Sequence, residues 1–169
     1  PARARGSSGH TLNTWQSGHL DTTKRHEFER RVAFQQASPL ARLARSPVRF
    51  GSSRLLQAVS TRLNWPVRRR ARTFWGETMT VYFPERVSMA IHRYAYFEEG
   101  LTRIFLDRVK AGMTVFDVGA HFGYFTLMAA ELVGPAGQVH SFDPTPSTFE
   151  LLKQNTAHRP NVRPQNVAL

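Results

Sequence analysis

The chain has 169 residues, no cysteine and a formal charge of +11, from 23 Lys plus Arg against 12 acids. Lack of cysteine excludes a disulfide scaffold and thiolate metal sites. The seven histidines have no metal-ligand spacing, so no metal is expected, and no apolar run approaches the ~20 residues of a membrane span. The charge is uneven: residues 1–76 hold 15 Lys plus Arg against 3 acids, and residues 77–169 hold 8 against 9. That asymmetry sets a basic N-terminal segment, assigned to residues 1–73, apart from a near-neutral part, residues 74–169.

Residues 1–22 are rich in Gly, Ser, Thr and His with few apolar anchors, which predicts disorder. The first 26 residues lack the apolar stretch of a secretory signal, so a cytoplasmic setting is expected. Helical spacing follows from Glu27 to Ala44, interrupted by Pro39. A second helix fits Ser53 to Leu63, capped by Ser52 or Ser53, with Leu55, Leu56, Val59 and Leu63 on one face. Pro66 and the run Arg68-Arg69-Arg70 read as a linker. Trp65, Phe74 and Trp75 beside these arginines are either a stacking surface for RNA or aromatics packed on the following domain.

Glu77 to Phe83 alternates as a strand, closed by Pro84. Val87 to Tyr96 and Glu98 to Lys110 read as helices, the second with Leu101, Ile104, Phe105, Leu106 and Val109 as its buried stripe. Tyr96, Glu98 and Glu99 are candidates for touching substrate, although acids favour a helix start in any case. Gly112 ends that helix. Thr114 to Val118 is a short β-branched run expected of a strand covered on both faces. Gly119 and Gly123 form a turn, and helical periodicity resumes through Phe122, Phe125, Leu127, Ala130 and Val133. A second strand, Gln138 to Phe142, ends in Asp143. A helix from Pro146 to about Ala157 and a strand entered at Asn161 complete a strand–helix–strand–helix–strand unit. That is one half of a doubly wound sheet. The apolar ending Asn166-Val167-Ala168-Leu169 would leave a strand edge open, so a partial or truncated chain is expected.

The turn carries the chemistry. Its pattern is D-x-G-x-x-x-G from Asp117 to Gly123, with His121 where the second glycine of a dinucleotide fingerprint would stand. An acid beside the turn repels a pyrophosphate and suits a cation. Asp143, at the tip of the second strand, is placed to accept ribose hydroxyls. This pattern favours S-adenosylmethionine, which carries an ammonium and a sulfonium and no phosphate, over NAD. Structural readings stand beside these: the glycines can merely shape the turn, His121 can bond backbone, and Asp143 can cap the next helix.

Phe116-Asp117-Val118-Gly119-Ala120-His121-Phe122-Gly123-Tyr124-Phe125-Thr126, then Leu132-Val133-Gly134-Pro135 and Gly137-Gln138-Val139, resembles the FkbM family of class I methyltransferases. So do His140-Ser141-Phe142-Asp143-Pro144-Thr145-Pro146, Phe149-Glu150-Leu151-Leu152 and the closing Asn161-Val162 and Asn166-Val167-Ala168-Leu169. The resemblance covers residues 74 to 169. It implies a Rossmann-like fold, here truncated after the third strand and preceded by a mostly helical basic extension. It also implies methyl transfer from S-adenosylmethionine to a hydroxyl of a small molecule, sugar or lipid. By the resemblance, Asp117, Gly119, His121 and Gly123 belong to the first cofactor motif and Asp143 holds the ribose. The family commonly has Asn at the place of His121 and Glu at that of Asp143. The catalytic residues are not among these and are expected beyond Leu169. The competing class is a non-catalytic basic module that binds nucleic acid or an anionic membrane through residues 24 to 72.

Overall fold

The computed structural model describes residues 17–63 and 66–169, with the side chains of residues 17–21 left aside. Three helices come first: α1 (Ser17–Gln36), α2 (Pro39–Arg45) and α3 (Pro47–Leu63). The break between α1 and α2 falls at Pro39, as expected, and Ser38 caps the new helix by accepting from Ala41 N at 3.2 Å. Residues 1–16, most of the stretch expected to be disordered, and Trp65 lie outside the described residues. From Ser17 onward that stretch is helical instead, as the first turns of α1.

The presumed arginine linker is a strand. β1 (Val67–Arg72) pairs antiparallel with β2 (Thr78–Phe83), Val67 opposite Phe83 and Arg72 opposite Thr78. Only Ala71 of β1 is buried. An edge strand held by its backbone ladder leaves little hydrophobic signal to read. The boundary drawn at residue 73 falls in the turn of this hairpin. After α4 (Arg86–Tyr94) and α5 (Glu99–Arg108) come β3 (Thr114–Val118), α6 (Tyr124–Val133), β4 (Gln138–Phe142), α7 (Pro146–Thr156) and β5 (Val162–Gln165). The last three strands form a parallel sheet in the order β3-β4-β5, Asp117 opposite Ser141 and Phe142 opposite Gln165. This is an α/β fold with the expected half-wound unit, although β5 is shorter than foreseen.

One apolar cluster joins both parts of the chain. Phe28 and Val32 of α1 meet Phe74, Met79 and Val81 of the hairpin, Ile91 of α4, and Phe122, Leu127 and Met128 around α6. The N-terminal helix therefore supplies core. A second cluster, Ala129, Ala130, Val133, Val139 and Val162, sits between α6 and the sheet. Gly137 permits that approach: a Cβ there would stand 2.6 Å from the Met113 carbonyl oxygen and 2.4 Å from Val133 Cβ. Two expected stripes differ. On α3, Leu55 and Leu63 are exposed while Leu56 packs and Ser53 and Ser60 are buried. On α5, Leu101 and Ile104 face outward while Thr102 and Leu106 are buried. Ser60 Oγ donates to the Phe83 carbonyl at 2.7 Å, so a hydroxyl as well as Leu56 ties α3 to the hairpin and its core.

The opposite sheet face is less covered. Phe116 and Val118 are 64% and 61% exposed, against the expectation of a strand buried on both sides. Phe116 stacks on His140 (5.2 Å, 14°) and lies parallel to Phe142.

The hairpin is bound to the β3–α6 loop by Asn155. Its Oδ1 accepts from Thr80 N at 2.8 Å, and its Nδ2 donates to the carbonyls of Thr80 (3.0 Å) and Phe122 (2.9 Å). Asn155→Ala leaves these groups unpaired in a largely dry setting, so stability should fall by about 2–3 kcal/mol. Urea denaturation checks this; a change below about 0.5 kcal/mol, the size of an ordinary surface substitution, would mean that water replaces the amide.

Candidate functional site

The turn between β3 and α6 is built from alternating left-handed residues. Gly119, His121 and Gly123 have φ of +80°, +54° and +93°. Glycine meets that demand without strain; His121 does not, and its backbone is held from outside. Gly119 N and Ala120 N both donate to the Phe142 carbonyl at 2.9 Å, and Gly123 N donates to the Ala120 carbonyl at 2.8 Å. Among the described residues, chain neighbours aside, no atom lies within 4 Å of where a Cβ on Gly119 would stand, whereas one on Gly123 would meet Leu152 Cδ1 at 2.8 Å. The two glycines thus have different duties: Gly119 borders open space, and Gly123 lets α7 approach α6.

Asp143 is the centre of the site. It is 5% exposed. Oδ2 accepts from His121 N at 2.8 Å, and Oδ1 accepts from Thr145 N at 3.0 Å and from the Thr148 hydroxyl. Its own backbone donates to the Gln165 carbonyl at 3.1 Å, and Asn166 Nδ2 donates to its carbonyl oxygen at 2.7 Å. One carboxylate therefore clasps the β3–α6 turn to the β4–α7 turn and braces the start of α7. The strained His121 backbone is held by it. Oδ2, with one partner among the described residues, keeps a lone pair for a further donor.

Asp117 enters from the last turn of β3. Its Oδ2 accepts from Thr126 Oγ1 at 2.5 Å, in the first turn of α6, where Gly123 offers no side-chain cap. Burial raises the Asp117 pKa, hydrogen bonds from Thr126 pull it back, and the nearby Asp143 charge pushes it up again. The half-buried His121 ring lies 4.2 Å from that of Phe122, centroid to centroid.

The sequence-level candidates Asp117, Gly119, His121, Gly123 and Asp143 thus gather at the ends of β3 and β4. The other candidates do not join them. The Tyr96 hydroxyl donates to Gln35 Oε1 of α1, and burial pushes its pKa up to about 12. Glu99 pairs with Arg103 at 3.0 Å, and Glu98 is the left-handed N-cap of α5. Phe74 is buried and Trp75 packs edge-on against Phe74 and Tyr124, which is the packed-aromatic alternative. Sequence reasoning missed Thr126, Thr148 and Asn155, polar residues at helical positions whose partners are remote in the chain.

No protein-family model matches the chain. Over 47 residues it is 40% identical to a protein-L-isoaspartate O-methyltransferase of Methanothrix thermoacetophila, a stretch covering 28% of this chain and 22% of that protein. The chain thus spans about a fifth of the length of the curated relative it matches. Among solved structures it is similar to a SAM-dependent methyltransferase from Aquifex aeolicus, at 25% identity and a TM-score of 0.36 over 41% of this chain and 37% of the other. It is also similar to a SAM-dependent O-methyltransferase from Thermotoga maritima, at 16% identity and a TM-score of 0.38, covering 59% and 40% of the two chains. A third is Aeropyrum pernix fibrillarin with natively bound S-adenosyl-L-methionine, at 22% identity and a TM-score of 0.35 over 36% and 26%.

The raised pKa of Asp117 has a measurable consequence. A carboxyl whose folded pKa lies above its unfolded value favours folding while protonated, and that advantage is lost as pH rises through the folded pKa. Asp117→Asn keeps an acceptor for Thr126 and removes the buried charge. The variant should therefore gain stability relative to the parent as pH rises from about 4, near the ordinary carboxylate pKa, toward 7. Paired urea titrations across that range check it; a constant difference would show that Asp117 is solvated.

Proposed function

We propose that this chain is the S-adenosylmethionine-binding part of a class I methyltransferase of the FkbM kind, acting on a hydroxyl oxygen of a small molecule, sugar or lipid. The observation that carries the reading is the turn: alternating left-handed residues between a parallel strand and a helix, flanked by Asp117 and Asp143. The 47-residue likeness to an O-methyltransferase supports it, as does the order of motifs from Phe116 to Leu169. A cytoplasmic setting belongs to the same proposal; no described helix is long and apolar enough to cross a membrane.

The residues fit such a cofactor. The space over Gly119 is open, so a bulky ligand approaches the backbone there without displacing a side chain. Asp143 Oδ2 has acceptor capacity left for a ribose hydroxyl. Asp117 supplies negative charge beside the turn, which suits an ammonium or sulfonium and opposes a pyrophosphate. S-adenosylmethionine, when bound, supplies an electrophilic methyl group on a sulfonium. The chain's contribution is to bind and orient it: the clasp by Asp143 holds the turn rigid, and a fixed donor geometry is worth much in a displacement reaction.

A second reading is favoured by one observation. Arg68, Arg69 and Arg70 of β1 are exposed and have no carboxylate partner among the described residues, so this strand also suits a nucleic acid or anionic membrane surface.

Calorimetry with S-adenosylmethionine, S-adenosylhomocysteine and NAD tests the principal reading. The chain should bind the first two and not NAD. Asp143→Asn should weaken binding by about tenfold or more, the effect of a lost charge-assisted hydrogen bond, with circular dichroism confirming the fold. Preference for NAD, or unchanged affinity in the variant, would overturn it.

A further inference from the structure

A cleft of about 730 Å³ lies between α1, α3 and the turn of the β1–β2 hairpin. Among its lining residues are Lys24, Glu27, Arg31, Arg49, Arg72 and Trp75; none of Asp117, Gly119, His121, Gly123 or Asp143 borders it. Lys24 is engaged by Glu131 at 2.6 Å, and Arg31 by Glu27 at 2.7 Å. Arg49 and Arg72 have no carboxylate partner among the described residues, and Arg49 is half-buried. Two guanidinium groups therefore face one cleft uncompensated. Burial first, then the charges of Arg31 and Arg72, hold the Arg49 pKa below its ordinary value, so the arrangement is electrostatically unfavourable as it stands.

We propose that this cleft binds a phosphate monoester of a small molecule, about the size of a mononucleotide or sugar phosphate, through Arg49 and Arg72. A phosphate monoester is close to a dianion at neutral pH, which matches the two uncompensated cations. The planar forks of arginine bind phosphate oxygens in pairs. The cleft is far larger than a phosphate and falls within the range of small-ligand sites. Trp75 gives its wall an aromatic surface for the apolar part of the ligand. The surrounding pairs, Lys24 with Glu131 and Arg31 with Glu27, hold the flanking cations in place without cancelling the two central ones.

The site goes beyond the methyltransferase reading and does not depend on it. Uridine monophosphate is the probe, with uridine as the uncharged control and S-adenosylhomocysteine as a competitor. The wild-type chain should bind uridine monophosphate more tightly than uridine, with no competition from S-adenosylhomocysteine. Arg49→Gln combined with Arg72→Gln should weaken binding by about tenfold or more. Arg68→Gln combined with Arg70→Gln removes the same charge from β1 outside the cleft and should leave affinity within about twofold, since neither side chain lines it. Arg72→Gln alone, at an exposed position, keeps the test available if the double variant is unstable, and it should weaken binding severalfold. Equal weakening by both double variants would show a diffuse charge effect and overturn the proposal. So would equal affinity for uridine, displacement by S-adenosylhomocysteine, or no binding by the wild-type chain.

Discussion

The geometry of the candidate site depends on one buried carboxylate. A parallel sheet ends in loops that have no ladder of their own, and two of those loops must stay side by side for a ligand to lie across them. Asp143 brings this about by accepting from the backbone of His121 in one loop and of Thr145 in the next. An apolar residue could fill that volume, but it could not satisfy both N–H groups, and His121 would have little reason to keep a left-handed backbone. The same group is thus a structural clasp and the candidate ribose acceptor. These roles are compatible because a carboxylate has more lone pairs than the protein uses.

The basic N-terminal helices are tied into the fold by charge as well as by Phe28 and Val32. Lys24 of α1 pairs with Glu131 of α6, Glu131 with Arg159 beyond α7, and Arg159 with Glu77 at the hairpin. This chain of ion pairs, with its members largely withdrawn from water, crosses the boundary suggested by composition. Charge asymmetry along a sequence reports where the arginines are, not where the core divides. The positive charge lies on the outer faces of elements whose inner faces are shared with the rest of the molecule.

What was legible in the sequence follows from the range of the interactions. The strand–turn–helix at Val118 to Tyr124 could be read because its cause is local: glycine angles, β-branched residues and helical spacing lie within a dozen positions. The break at Pro39 was legible for the same reason. β1 was not, since Arg68-Arg69-Arg70 owes its extended form to hydrogen bonds with β2 and not to its side chains. The duties of Asn155 and Thr126 were hidden because a polar residue on a helix is ordinarily solvent-facing, and their partners are set by tertiary packing. Leu55 and Leu101 misled in the opposite sense: periodic leucines mark a face without saying whether anything covers it.

Phe116, His140 and Phe142 form a row of near-parallel rings on the less covered face of the sheet, running from exposed Phe116 to half-buried His140 and buried Phe142. An imidazole stacked at 5.2 Å on a benzene ring lies within reach of its ring current, which displaces the carbon-bound protons of His140 from their positions in free histidine. That displacement depends on the spacing and tilt of the two rings. Anything that settles on this face, whether another segment or another molecule, must press on Phe116 and alter both. The row is therefore a built-in magnetic gauge, readable in a single proton spectrum, of whether this side of the sheet is bare or covered.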